Sequence, residues 1–184
     1  MLPAVETVFA VSAASALRQA LGTVYFSFCS WDQTPLMAID WSITPIETGL
    51  PTYVPSVFGR LQELARLYKA VLYPEDMVLY AEAAGFGKVV MLEAHKAGHD
   101  VREVREDIAE LDLDGRATQA MVFMHAGQVK LAPPAFEKTQ NFKGTNANHL
   151  LRQIKGYRAG QEADAVEVLN AWCTGTLLAL QTGS

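Results

Sequence analysis

The hydrophobic pattern of this chain changes its period at Ser56, from runs typical of strands to the spacing typical of helices. Three earlier segments are rich in β-branched and aromatic residues and predict strands: residues 7–11, 24–31 and 36–43. The turn-forming sequence at residues 32–35 separates the second strand from the third, so these two are predicted to form an antiparallel hairpin. Residues 45–55 contain three prolines and are predicted to be a loop.

Beyond Ser56, helical and strand-like segments alternate. Apolar residues recur at helical spacing from Val57 to Tyr68, and Pro74 is expected to mark the end of this helix. The predicted elements that follow are a parallel strand at 77–81, a helix at 88–97 and a strand at 101–104. Strands joined by crossover helices lie parallel. The predicted fold class is therefore α/β, a mixed sheet flanked by helices, in a single domain of residues 1–184.

The second half of the chain predicts more helix than strand. The expected elements are a helix at 116–125, a strand at 128–131, a polar loop at 137–148, a helix at 149–157 and a long apolar helix at 163–180. Lys138 and Lys143 lie in the polar loop, which makes that loop a candidate DNA-facing segment. The alternative is an ordinary solvated loop.

Charge and cysteine content limit the possible partners and compartments. The net charge is −5 and the sequence pI is about 5.3, so DNA contact would require a local basic patch, such as one including Arg152, Lys155 and Arg158. Cys29 and Cys173 lie far apart in apolar segments, which predicts buried, reduced thiols and suits a cytoplasmic location. No segment is long enough to span a membrane, so no membrane partner is expected.

Three acids stand at positions that favour metal binding. Glu82 ends the strand at 77–81 and precedes a glycine-containing loop, where ligands of open α/β sheets bind. Asp164 and Glu167 are three residues apart and would share one face of the last helix. Carboxylates in this arrangement can hold Mg²⁺ or Mn²⁺. Alternatively, Glu82 is a salt-bridged structural acid and Asp164 only favours a helix start through the helix dipole.

Three segments carry a resemblance to a known family. "VLYAEAAGFGKVV" (78–90) is a strand ending in an acid before a small-residue loop, "GRATQAMVFMHAGQVKL" (115–131) is a helix with a basic residue leading to a strand, and "EADAVEVLNA" (162–171) opens an acidic helix. In this order they resemble the nuclease domain of phage large terminase subunits, which belongs to the RNase H-like superfamily.

The resemblance implies a function and a set of site residues. It implies hydrolysis of double-stranded DNA with Mg²⁺ or Mn²⁺, with Glu82 and Asp164 as catalytic metal ligands and Glu167 as a supporting ligand. Arg116 would contact a DNA phosphate. The implied location is the host-cell cytoplasm, and the implied partners are an ATPase motor domain, a portal or a small terminase subunit.

One position departs from the family pattern. The family's first strand ends in a metal-binding aspartate, whereas the matching segment here, "VFAVSAAS", has Ser12. A neutral serine cannot replace a carboxylate that bridges two cations, and Asp32 could compensate only in a different strand register. The sequence therefore leaves three hypotheses: a nuclease with weakened activity, a silent relative that binds DNA or packaging partners, and an unrelated α/β domain with incidental acids.

Overall fold

The computed structural model describes residues 7–14, 19–29, 34–68, 77–160 and 166–181. Six strands form the main sheet: β1 (Thr7–Ala14), β2 (Ala20–Phe28), β3 (Leu36–Pro45), β4 (Val78–Ala81), β5 (Val101–Glu103) and β6 (Val129–Leu131). Their order across the sheet is β5-β4-β1-β2-β3-β6. β2 runs antiparallel to β1 and β3, while the pairs β1–β4, β4–β5 and β3–β6 are parallel. The predicted α/β class with a mixed sheet is confirmed.

The helices of the described residues flank this sheet. They are α1 (Ile46–Leu67), α2 (Phe86–Lys96), α3 (Glu106–Ala109), α4 (Leu113–His125), α5 (Pro133–Glu137), α6 (His149–Gly156) and α7 (Glu167–Leu180). A separate hairpin of β7 (Gln140–Phe142) and β8 (Thr145–Ala147) precedes α6. No helix in the described part of the chain is long and apolar enough to cross a bilayer.

Both faces of the sheet are buried, because successive side chains of a strand point to opposite sides. On β1, Val8 and Ala10 belong to the core cluster that includes Leu61 of α1 and Val90 of α2. Phe9, Val11 and Ala13 of β1 belong to the cluster that includes Trp172 and Leu169 of α7. The sheet is thus sandwiched between α1 and α2 on one side and α7 on the other. Trp41, Trp172 and both cysteines are buried, as predicted, and both thiols are free.

Two glycines let α7 approach β2 more closely than any other residue would. A Cβ at Gly22 would lie 2.4 Å from the carbonyl carbon of Glu167, and one at Gly175 would lie 2.2 Å from the Phe26 ring. Gly22 also pairs with Ala13 of β1. The first turn of α7 is therefore held beside the carboxyl end of β1.

Three predicted boundaries were wrong. α1 begins at Ile46, not at Ser56, because Pro51 and Pro55 lie on its exposed face while Tyr53 and Val54 continue the buried stripe. β2 covers Ala20–Phe28 instead of 24–31. The predicted polar loop at 137–148 contains the β7–β8 hairpin, which closes through a turn at Lys143 and Gly144.

The last helix also starts later than predicted. α7 begins at Glu167 instead of residue 163, and Val166 before it has a non-helical conformation. Asp164, Asp32 and Pro74 lie outside the described residues.

Candidate functional site at the carboxyl ends of β1 and β4

A crevice of about 270 Å³ lies where β1 and β4 end. Its lining includes Ser12 and Ala13 from β1, Glu82 after β4, Gly87 of α2 and Asn170 of α7. Ligands of open α/β sheets bind outside the carboxyl ends of the strands, at positions of this kind. This crevice is the candidate site.

The loop after β4 holds Glu82 against the start of α2. Gly85 has a φ of +57°, which is a left-handed conformation that side chains disfavour. A Cβ at Gly87 would lie 1.7 Å from the carbonyl oxygen of Glu82, so only glycine allows α2 to begin this close to the strand end. The Glu82 backbone is consequently fixed at the floor of the crevice.

The carboxylate of Glu82 is only partly satisfied. The side chain is 35% exposed and its Oε1 forms an ion pair with Nη1 of Arg116. That oxygen is buried against the guanidinium, so the exposed part of the carboxylate is Oε2, which has no hydrogen bond among the described residues. Glu82 therefore keeps capacity to bind a further cation or donor in the crevice.

Arg116 is buried behind Glu82, with only 4% of its surface exposed. Its guanidinium donates to three backbone oxygens, those of Ile108, Ala109 and Leu111, at 3.1–3.2 Å. Nη1 also donates to Asn170 Oδ1 at 3.1 Å and Thr174 Oγ1 at 3.2 Å, both on α7. These bonds use the donors that a phosphate would need, so the geometry favours Arg116 as the residue that positions Glu82 and α7.

Glu167 lies in the first turn of α7, is 2% exposed and faces α6. Its carboxylate accepts a hydrogen bond from Gln153 Nε2 at 3.1 Å. Gln153 Oε1 in turn accepts from the backbone N–H groups of Val168 and Leu169 at 3.1 and 3.0 Å. One α6 side chain therefore caps α7 and holds Glu167, which is not among the residues that line the crevice.

The α7 side chain that reaches the crevice is Asn170, which the sequence analysis did not select. Asn170 follows Glu167 by three residues, but Glu167 faces α6 whereas Asn170 lines the crevice. A polar residue in a mostly apolar helix is the signal that the sequence offers for Asn170. The predicted helix start at residue 163 places the polar pair on Asp164 and Glu167 instead.

Neither predicted lysine lines the crevice. Nζ of Lys138 donates to Asp40 Oδ1 at 2.8 Å and to the carbonyl oxygen of Trp41. Arg60 Nε donates to the other Asp40 oxygen at 2.7 Å. Lys143 is exposed in the turn of the β7–β8 hairpin, hydrogen-bonds to Gln19 and lies over the Phe142 ring.

The β1 side of the crevice carries no acid. Ser12 is 4% exposed and alternates with Val8 and Ala10, which belong to the core cluster on the α1 side of the sheet. Val11 pairs with Tyr80, so extending the β1–β4 register by two residues places Ala13 opposite Glu82. Ser12 and Ala13 are thus the two positions from which a strand carboxylate would enter this crevice, and both are neutral.

The described residues do not fit a two-cation centre. Mg²⁺ and Mn²⁺ sites of that kind need several oxygen ligands, mostly carboxylates. No group of three or more His, Cys, Asp or Glu residues in the described part of the chain could hold a metal ion. Glu82 is the one carboxylate among the described lining residues, and any further acid would have to come from outside them.

Comparison with known proteins identifies the fold. No family model matches the sequence, and no curated protein sequence matches it. The Mn-soaked structure of the human cytomegalovirus terminase nuclease domain matches with a TM-score of 0.62 and 10% identity, covering 96% of this chain and 84% of that one. Another structure of that domain has a TM-score of 0.59 and 12% identity, covering 95% and 83%. The chain has an RNase H-like nuclease fold.

A yeast mitochondrial Holliday junction resolvase matches less well, with a TM-score of 0.43 and 8% identity over 95% of this chain and 80% of that one. The fold rests on the two terminase structures, and at 10–12% identity their likeness shows the fold alone. The RNase H-like prediction is confirmed, whereas the phage origin implied by the resemblance and the metal-ligand roles of Glu82, Asp164 and Glu167 stay predictions.

Proposed function

We propose that this chain is a nuclease-fold domain that binds double-stranded DNA and whose own phosphodiester cleavage is weak or lost. The observation that supports weak cleavage is the composition of the crevice. β1 contributes the neutral residues Ser12 and Ala13, so Glu82 faces no strand carboxylate across it. Two-metal hydrolysis depends on carboxylates that neutralise and bridge the cations.

DNA as the partner is supported by the likeness to the human cytomegalovirus terminase nuclease domain. Such a domain could serve a DNA-packaging machine as a binding or docking piece, beside an ATPase motor domain, a portal or a small terminase subunit. The ATPase would come from elsewhere, because this sequence contains no GxxxxGK[ST] phosphate-binding loop.

The second candidate is an active Mg²⁺- or Mn²⁺-dependent endonuclease. It is favoured by the Glu82 side chain, which is 35% exposed and lines the crevice, so that its carboxylate can ligate a cation. Glu82 and Asp164 would be the ligands. Asp164 precedes α7 by three residues, and the first turn of α7 lies beside the carboxyl end of β1.

The deciding experiment is Mn²⁺-dependent cleavage of plasmid DNA by the purified chain. We expect little or no cleavage by the native chain, and cleavage by Ser12→Asp or Ala13→Asp. The gain should disappear when Glu82→Ala is added. Ser12→Asn is the matched control, because it adds similar volume without the charge.

Each other outcome identifies a different failure. Efficient cleavage by the native chain that Glu82→Ala abolishes would replace the first proposal with the second. Folded Ser12→Asp and Ala13→Asp variants that both remain inactive would show that β1 is not the missing element. No binding of duplex DNA at low salt would remove the proposal altogether.

A further inference from the structure

Positive charge is segregated within this acidic chain. Residues 138–160 contain five Lys and Arg residues and no Asp or Glu, although the whole chain has a net charge of −5. The remainder of the chain therefore carries a net charge of −10. Such segregation creates a local field that attracts anions in spite of the overall charge.

The cations of α6 and its following turn are exposed. Arg152, Lys155 and Arg158 all face solvent, and none of the three pairs with an acid in the described part of the chain. We call these three residues the basic face. Nη1 of Arg158 donates to the carbonyl oxygens of Lys155 and Tyr157, which orients its guanidinium.

Cations elsewhere are mostly neutralised. Of the nine Lys and Arg residues described outside 143–158, six form ion pairs with acids. Lys138 is one of the six, since Asp40 holds its ammonium. Within the described part of the segment, the basic face and the single Lys143 are therefore the cations without an acid partner.

The basic face and the crevice are connected through the contacts between α6 and α7. The opposite side of α6 is buried through Leu150 and Gln153. Gln153 bonds to the first turn of α7 at three points, namely the Glu167 carboxylate and the N–H groups of Val168 and Leu169. That turn packs on Gly22 beside the carboxyl end of β1, and Asn170 one turn later lines the crevice.

We propose that the basic face of α6 binds the phosphate backbone of duplex DNA and directs the duplex toward the crevice. This inference rests on the proposed DNA binding and adds where the duplex lies. Arg152 and Lys155 are separated by about 4.5 Å along the helix axis, a spacing that lets both reach one strand of the backbone. Anionic membranes fit less well, because the apolar residue Leu150 of α6 faces the core.

The test is duplex binding as a function of salt, measured by fluorescence anisotropy with a labelled DNA of about 20 base pairs. The variant R152Q/K155Q/R158Q removes the basic face. The control R66Q/K96Q/K130Q removes the same charge from three exposed positions on α1, α2 and β6. Circular dichroism checks that both variants are folded.

We expect the basic-face variant to bind at least ~10-fold more weakly, and the slope of log K against log salt to fall by about 2–3. The control should weaken binding by less than ~3-fold, because only the net charge changes. R152K/R158K, which keeps the charge, should restore most of the affinity. Equal losses in both triple variants would overturn the inference, since net charge alone would then explain binding.

Two further outcomes separate this inference from the proposed function. If the native chain binds and the basic-face variant binds equally well, the duplex lies elsewhere and the proposed function survives. If the native chain does not bind at low salt, both fail. Vesicles containing phosphatidylserine test the lipid alternative: binding of vesicles that the basic-face variant loses, with duplex binding unchanged, would assign the surface to membranes and overturn the inference.

Discussion

Asp40 and Glu82 are acids paired with cations in one sheet, yet their surroundings differ. The side chain of Asp40 is 7% exposed, and its oxygens accept from Lys138, Arg60 and the backbone N–H of Trp41. The side chain of Glu82 is 35% exposed and contacts one cation, Arg116, through Oε1 alone. Asp40 has no capacity left for a ligand, whereas Glu82 has.

This difference separates a structural acid from a candidate site acid. Buried carboxylates remain charged only when partners compensate for lost hydration. Asp40 is compensated entirely by the protein. Glu82 is compensated partly by Arg116 and partly by the solvent of the crevice, so a bound cation or ligand can take the place of that solvent.

The largest expected effect comes from Arg116. Arg116→Met keeps most of the volume but leaves Glu82 and three backbone oxygens without their donor. We expect the free energy of unfolding to fall by about 3–5 kcal/mol in urea denaturation. Arg102→Met is the control, and should cost less than about 1 kcal/mol because the Arg102 side chain is 51% exposed.

A small loss for Arg116→Met would change the comparison. It would mean that the guanidinium is solvated instead of buried. Arg116 would then return as a candidate for direct phosphate contact, and Glu82 would lose its fixed partner.

Asp40→Asn should have the next largest effect on stability. The amide is neutral, so Lys138 and Arg60 lose their shared counter-charge. Hydrogen bonds to charged groups contribute about 1.5–3 kcal/mol each, and both cations can partly rehydrate, so we expect a net loss of about 2 kcal/mol. A double-mutant cycle with Arg60→Gln measures the coupling. If the losses of unfolding free energy for Asp40→Asn and Arg60→Gln are additive, Asp40 is not coupled to Arg60 and this view of the cluster is wrong.

Alkaline pH tests the Asp40 region separately. Burial raises the pKa of Tyr25, which pairs with Asp40 across β2 and β3, and the nearby Tyr53 and Asp40 raise it further. The folded state keeps this phenol neutral, whereas the unfolded chain ionises it above pH ~10. The stabilisation is therefore complete below pH ~10 and is lost at about 1.4 kcal/mol per pH unit above it.

In the native chain the unfolding free energy should fall between about pH 10 and pH 11, and in Tyr25→Phe this fall should be smaller by about 1.4 kcal/mol per pH unit. Buried Cys173, with its pKa raised to about 12, contributes a decline that this substitution leaves in place. An unchanged slope in Tyr25→Phe would show that Tyr25 ionises in the folded state, and that the Asp40 region is wetter than its burial indicates.

The sheet and the position of Glu82 could be predicted because they depend on local patterns. Hydrophobic period located β1, β3 and β4, and a strand end followed by small residues placed Glu82 at the sheet edge. The sequence does not reveal the part of α1 before Ser56, because proline in a helix interior normally breaks the helix. Pro51 and Pro55 lie on its exposed face, where the lost N–H groups disturb no packing.

The partners within the site depend on long-range contacts that no local pattern reports. Gln153 caps α7 across 15 residues of sequence, and Arg116 meets Asn170 across 54 residues. The sequence predicts that Arg116 contacts a DNA phosphate, whereas in the fold its side chain is buried and contacts other residues of the chain. Lys138 likewise faces Asp40, which lies 98 residues away along the chain.

Glu82→Gln gives the smallest expected effect and the sharpest test of the comparison. Glutamine keeps an oxygen that Arg116 can approach, and hydrogen bonds to three backbone oxygens, Asn170 and Thr174 still hold the buried guanidinium, so we expect a loss of about 1 kcal/mol. That is about half the loss for Asp40→Asn under the same conditions. A loss as large as that of Asp40→Asn would make Glu82 a structural acid, and the crevice would then contain no carboxylate free to bind a cation.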